Sequence, residues 1–483
     1  MTTCIRRLGT TVATGLLTGC VLLGFSLPAL ASGGTAASTP QGQLTVLTPY
    51  VHPGDQVRWS ATGLPADATL DIDWQTVTGQ WNVFGPNLGD KTASPIVAPV
   101  SYTFGSEQVG TVQTSASGTA SGSFPVPTGF GGMHNFQLTD QGGNAVAVGS
   151  VIEAISAKIA TLSVPQGDLF HLKVQGLAYG AEGAEYGVLY DNHYMGFISG
   201  VTTDGTAEFT VRAEGVGTHQ ISLRAGAVEG PYLNEQEGPY AYLPRYYWTV
   251  QVTPATPTTV VDPEPAAVVP AGTDLTVTPT SGVVGSTFTL QGHGLPANAT
   301  LDVQWNTMSG NRVTSSMYQA ATVDLASVTT DANGSFTWSG TVPDDLGGPP
   351  HEIDLMQGTT KVGSAEFRIM PQFVGVSPNP AKVGSMLVVH LTGVGWTQYD
   401  NIYAVDYDNA FMGYACGFNS HGDVHIHVPA IGAPGYHFID IYPSPYMGST
   451  NLPNWYGMPQ LTYAQDHPGD TLPAFHVVID VTK

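Results

Sequence analysis

Charge is scarce in this 483-residue chain. Asp, Glu, Lys and Arg make up 11% of it, and Lys and Arg number 14 against 37 Asp and Glu, a formal net charge of −23. The shortage of basic residues argues against a nucleic-acid partner, whose binding rests on Lys and Arg neutralising phosphates. Anionic membrane surfaces and acidic partners are disfavoured for the same reason. The low total charge also differs from a salt-adapted surface crowded with carboxylates; an acidic external medium, where carboxylates lose their charge, is one reading of it. Cysteine is nearly absent. Of 3 in all, Cys4 and Cys20 fall in the first 31 residues, which leaves Cys416 without an internal disulfide partner, so the fold must stand on its apolar cores. Beyond the N-terminal segment no apolar run reaches spanning length, and no transmembrane segment is expected in the mature chain. Calcium-loop spacing, phosphate-binding Gly loops and nucleophile elbows are missing too, so neither a catalytic residue nor a cofactor is expected.

The N-terminus reads as a targeting segment over residues 1–31. Arg6 and Arg7 supply the positive start, Val12 to Leu30 is mostly apolar, and Ala29-Leu30-Ala31 is a small-residue cleavage pattern that would leave Ser32 first. Leu17-Thr18-Gly19-Cys20 offers an alternative, a lipoprotein box with the lipid on Cys20, at the cost of an apolar tail from Val21 to Leu30 on the mature protein. The Arg6-Arg7 pair lacks the flanking pattern of a twin-arginine signal. The expectation is a secreted or surface-associated protein.

What the chain has in abundance is glycine (59), proline (35) and aromatics (10%), a composition suited to short strands and turns. It also has repeats. Tyr190-Asp191-Asn192-His193-Tyr194-Met195-Gly196 returns as Tyr407-Asp408-Asn409-Ala410-Phe411-Met412-Gly413, 217 residues on. Gly63-Leu64-Pro65-Ala66-Asp67-Ala68-Thr69-Leu70-Asp71-Ile72-Asp73-Trp74 returns as Gly294 to Trp305, 231 residues on. In both copies the apolar residues alternate with polar ones and end on Trp, which predicts a strand with one buried face and Trp in the core of a sandwich. Asp-Gly and Asn-Gly turns between alternating runs predict hairpins. A Gly-x-His entry places His134, His219, His351 and His437 at equivalent points before strands, and a fourfold His points to a hydrogen bond built into the fold.

These patterns predict an all-β chain of four tandem immunoglobulin-like sandwich domains in two duplicated pairs. A flexible leader covers 32–42, domains cover 43–155 and 156–252, a Pro-rich semi-rigid spacer covers 253–273, and domains follow at 274–371 and 372–483. The Gly-Leu-Pro-Ala-Asn-Ala-Thr run ending at Trp305, the Thr330 to Phe336 turn and the Gly-x-His entries resemble the TIG-like repeats of bacterial secreted and surface proteins. The resemblance implies an extracellular spacer, adhesin or ligand-binding module and brings no catalytic residue with it.

Candidate sites follow from what such repeats do not normally carry. Long aromatic loops interrupt the second and fourth domains, 232–248 and 442–473. Tyr and Trp present flat apolar faces with a polar edge, suited to sugar rings or a protein partner, or else they pack as cement between domains. Tyr240, Tyr242, Trp248, Trp455 and Tyr456, with the corner tyrosines Tyr190 and Tyr407, form the candidate ligand-binding set. Its expected partners are a cell-envelope component, a glycan or another surface protein. His421, His425 and His427 are the candidate metal ligands, since His425 and His427 share one strand face. They are also the only place to look for a metal-dependent enzyme. Asp191-Asn192 and Asp408-Asn409 read as tight turns ahead of calcium ligands. Cys416, aligned with Ser199, reads as a small buried strand residue. The favoured function is a non-enzymatic structural or adhesive protein, with a carbohydrate-binding surface protein as the alternative.

Overall fold

The computed structural model describes residues 40–84, 96–159, 163–180, 185–225, 233, 245–262, 275–310, 318–348, 350–395, 402–417, 421–444, 457–467 and 472–483. The chain is all-β, with one four-residue helix among the described residues, Tyr463–Asp466. Strand alternation produces the cores directly. Leu70, Ile72 and Trp74 are buried while Asp71 and Asp73 point outward, and Leu301, Val303 and Trp305 repeat the pattern.

Among the described residues, eight sheets face one another in pairs around four hydrophobic clusters. In every pair a three-stranded antiparallel sheet opposes a larger one. The second sandwich sets Ala207–Arg212, Leu169–Gln175 and Ser156–Ile159 against a five-stranded sheet that ends in the edge strand His193–Ser199. The fourth sets Gln372–Ser377, Met386–Thr392 and Val424–Pro429 against a sheet containing Ile402–Tyr407, Ala410–Cys416, Gly435–Pro443 and Phe475–Thr482. In all four, a short early segment crosses over to run parallel to the last long strand: Tyr50–Val51, Ser163–Pro165, Ser281–Gly282 and Ala381–Lys382. That crossover closes an otherwise antiparallel sheet in the immunoglobulin manner.

The duplication extends to the joints. Gly131 bridges to Ala178 between the first and second sandwiches, and Gly347 bridges to Gly395 between the third and fourth. A Cβ on Gly131 would sit 2.1 Å from the Gly176 carbonyl oxygen, and one on Gly347 1.9 Å from that of Gly393, so only glycine lets the backbones approach this closely.

Two expectations meet a different structure here. The stretch 253–273 is not spacer throughout, because Val260–Val261 pairs antiparallel with Phe475 and His476 at the edge of the fourth sandwich. Two adjacent β-branched residues suit an edge strand, where nearby prolines are tolerated. Cys416 closes its strand half-buried rather than buried. Residues 40–483 pack as a single compact unit.

Candidate functional site

The Tyr-Asp-Asn turns are hairpin corners of the type that needs two left-handed residues, with φ of 47° and 67° at Asp191 and Asn192 and 52° and 54° at Asp408 and Asn409. Their carboxylates close the fold over themselves. Asp191 Oδ1 accepts from the Gln220 amide at 2.8 Å, and Asp408 Oδ1 from the Phe438 amide at 2.9 Å. Oδ2 of each meets Nδ1 of the repeated histidine, His219 or His437, at 2.6 Å. In the first and third sandwiches a carbonyl takes the carboxylate's place, Gln75 for His134 and Asn306 for His351. The other ring nitrogen always faces a nearby carbonyl, that of Phe130, Gly215, Leu346 or Ala433. The fourfold histidine is therefore a device of the fold. Burial holds His134 and His351 below the ordinary imidazole value, while the Asp408 hydrogen bond raises His437.

The corner tyrosines turn inward. Tyr190 is 1% exposed and donates to the Glu214 carbonyl at 2.7 Å; Tyr407 is 5% exposed and donates to that of Ile431 at 2.7 Å. Neither offers a ring face to a ligand, since each spends its ring on the core and its hydroxyl on the backbone. Trp248 is half-buried against the core of the second sandwich, its ring stacked 5.8 Å from that of Tyr246. Tyr240, Tyr242, Trp455 and Tyr456 lie outside the described residues.

The described part of the second aromatic loop, 457–467, reaches across to the second sandwich. Phe197 N donates to the Pro459 carbonyl and Leu461 N to the Phe197 carbonyl, both at 2.9 Å, so the loop adds a short parallel rung to the edge strand His193–Ser199. Beyond that rung Asp466 is fully buried. It accepts from Ser199 Oγ at 2.6 Å, the Thr202 amide at 2.8 Å and Trp81 Nε1 at 3.1 Å, drawing the first, second and fourth sandwiches onto one carboxylate. Thr462 Oγ1 accepts from Ser199 N and donates to its carbonyl, at 3.0 and 2.9 Å.

A second buried junction joins the second and fourth sandwiches. Arg212 Nε donates to Asp440 Oδ1 at 2.9 Å, and His476 Nδ1 lies 2.7 Å from that oxygen, with all three side chains buried. Burial pushes the Asp440 carboxyl up, but Arg212 and His476 outweigh it and hold it below the usual range. Burial pushes His476 down, and Asp262 and Asp440 carry it above its ordinary value. At neighbouring Asp406, burial and then the Asp440 charge push the carboxyl well above its ordinary value. The equivalent positions in the second sandwich are Leu189 for Asp406 and Ser222 for Asp440. On the sequence these acids sit between apolar neighbours, with nothing local to mark them as buried.

The expected histidine cluster divides. His421 lies apart, 62% exposed and 3.8 Å from Asp345 Oδ1. His425 and His427 share the outer face of Val424–Pro429 as predicted from their spacing. The residues gathered with His425 are Asp423 and His390, the latter on the neighbouring strand and missed by the sequence reading. Its only signal was that His390 replaces Lys173 of the second sandwich while His425 replaces Glu208. On that equivalent face of the second sandwich lies a cleft of about 690 Å³, lined by Lys158, Lys173, Glu208 and Asp262 and roofed by Leu461 and Gln465.

No family model matches the chain. No curated protein matches it either. Among solved structures it is similar to a tetra-tandem repeat from the extending region of a large adhesion protein, at 13% identity and TM-score 0.18 over 91% of this chain and 100% of that one. The D1–D4 ectodomain fragment of ICAM-5 gives 12% and 0.17 over 91% and 100%. A putative membrane-anchored protein from Corynebacterium diphtheriae gives 11% and 0.18 over 68% and 89%.

Proposed function

We propose that this chain is an exported, non-enzymatic protein of the cell envelope or extracellular space, a structural or adhesive array of TIG-like domains with the boundaries expected from the sequence, save that Val260–Val261 belongs to the fourth sandwich. The observation that carries the reading is Asp466. A buried carboxylate whose hydrogen bonds tie three sandwiches together serves to fix sandwiches against one another, and it replaces chemistry with geometry. The half-buried ring of Trp248 supplies contact surface for an envelope component, a glycan or another surface protein. The leader 1–31 directs export, with cleavage after Ala31 and lipidation at Cys20 as the alternative.

Fractionation of bacterial cells expressing the full chain tests export: the protein is expected in the envelope or medium, beginning at Ser32 or at a lipidated Cys20. Cytoplasmic retention with an intact leader overturns that part. Beads coated with the mature chain test adhesion. They are expected to bind whole cells or envelope preparations, and the adhesive reading fails if they bind no better than beads coated with serum albumin.

A further inference from the structure

We propose that His390, Asp423 and His425 form a binding site for a first-row divalent transition cation, of the Zn²⁺ and Cu²⁺ class, on the outer face of the three-stranded sheet of the fourth sandwich. The strands Met386–Thr392 and Val424–Pro429 pair antiparallel with His390 directly opposite His425. The residues on either side, Val389 and Leu391 on one strand and Val424 and Ile426 on the other, are buried. Strand alternation therefore holds both imidazoles on the solvent side, at the spacing of a cross-strand pair. The rings lie 4.4 Å apart and 11° from parallel.

Asp423 completes the set from the start of the same strand face. Its Oδ1 is 2.5 Å from His390 Nε2 and 3.8 Å from His425 Nδ1. One donor atom from each of the three residues lies within 4.8 Å of the other two. An ion bonded at about 2.0–2.2 Å holds its ligand atoms roughly 3–4.4 Å apart, so small side-chain rotations close the set around it. The side chains are 31%, 40% and 49% exposed for His390, Asp423 and His425, which leaves them free to make those rotations. Two imidazoles and one carboxylate suit Zn²⁺, Cu²⁺ or Ni²⁺, whereas Ca²⁺ and Mg²⁺ take oxygen ligands. The net charge of −23 attracts cations to the surface as a whole.

The duplication supplies an independent argument. In the second sandwich the same cross-strand position holds an ion pair, Lys173 Nζ to Glu208 Oε1 at 2.5 Å. That pair joins the two strands by opposite charges carried on the chain. In the fourth sandwich both partners are histidine, which cannot pair with each other as ions. The His390–Asp423 contact already ties the strands one position away, and a bound cation joins the second histidine, His425, to it.

Isothermal titration of the full chain, stripped by a chelator and dialysed, tests the site with Zn²⁺ and Cu²⁺ in turn and Ca²⁺ as the control. About one equivalent of Zn²⁺ or Cu²⁺ should bind saturably, and Ca²⁺ should not compete. His390→Ala and His425→Ala should each weaken binding at least about 10-fold, and Asp423→Asn should weaken it measurably. His421→Ala should leave it unchanged. The same ions should raise the thermal midpoint of the wild-type chain but not of the His390→Ala or His425→Ala variants. Far-UV circular dichroism should show every variant folded, as expected for exposed side chains. Absence of saturable binding overturns the proposal, as does wild-type affinity in His390→Ala and His425→Ala or a larger loss in His421→Ala. None of these outcomes bears on export or adhesion.

Discussion

Ser199 and Asp466 stand 267 residues apart in the chain and 2.6 Å apart in the fold, the serine Oγ donating to the carboxylate Oδ2 in a buried setting. Ser199 ends an edge strand of the second sandwich, and Asp466 ends the four-residue helix in the long loop of the fourth. A loop of the second half of the chain has become part of the first half's sheet.

Removing the carboxylate should therefore loosen both sides at once. Asp466→Ala leaves buried donors on Ser199, Thr202 and Trp81 without their acceptor, a loss of about 3 kcal/mol for a charged buried partner. Hydrogen exchange read by mass spectrometry should accelerate by roughly 100-fold in the peptides covering 193–199 and 459–467 together. Acceleration confined to 459–467 would show that the loop does not hold the strand.

The glycine joints make a cleaner steric test. Gly347→Ala places a methyl group 1.9 Å from the Gly393 carbonyl oxygen, an overlap that only backbone movement relieves, at about 1–3 kcal/mol. Gly375→Ala, where the added Cβ meets nothing within 4 Å, should stay within about 0.5 kcal/mol of the wild type. Chemical denaturation of the two variants side by side checks the contrast. Equal midpoints would mean that the third and fourth sandwiches do not rely on that close approach.

Acid should stabilise this protein above about pH 4.5. Burial pushes Glu153 up to about 9, and burial followed by the charges of Asp408, Asp440 and Asp191 pushes Glu214 up to about 9, from an ordinary 4.5. A carboxyl raised in the folded state contributes stability that is fully present below its unfolded value. That contribution is lost as pH climbs through the folded one, at no more than about 1.4 kcal/mol per pH unit for each group. Thermal midpoints should fall steadily between pH 5 and 9, and Glu214→Gln should flatten the slope. A midpoint that rises with pH over that window contradicts the assignment.

His437 should titrate above 6.5, because the Asp408 carboxylate accepts its Nδ1 proton while the Ala433 carbonyl accepts the other. Its contribution to stability is present below 6.5 and is lost as pH rises through the raised value. Proton NMR of the imidazole should show this directly, and Asp408→Asn should bring the titration back toward or below 6.5. If the wild-type and Asp408→Asn rings titrate together, the carboxylate is not the cause.

The folding of each sandwich was legible because its signals are local. Leu70, Ile72 and Trp74 declare a buried face by alternation, and Asp191-Asn192 declares a hairpin by tolerating positive φ. The repeated histidine was legible as a structural hydrogen bond because four copies fix its place. The contacts between sandwiches were not. Asp440, between Ile439 and Ile441, looks like any outward residue of a strand until Arg212 is brought over it. His390 gives no local sign of its neighbours, which arrive 33 and 35 residues later in the next strand but two of the chain's larger path. For the aromatic loops, packing as cement stands slightly ahead of a binding surface on the sequence, and the described part of the second loop, 457–467, is cement.

The rung between Phe197 and Gln460 also sets an order of events during synthesis. At roughly 5–20 residues per second, the ribosome releases the edge strand His193–Ser199 some 15–50 s before the loop that covers it. For that interval the second sandwich carries an open strand edge, the kind of surface on which chains join one another. A nascent copy thus depends on its own later residues arriving before a neighbour's do, and crowding on the ribosome becomes a hazard that the finished fold no longer shows.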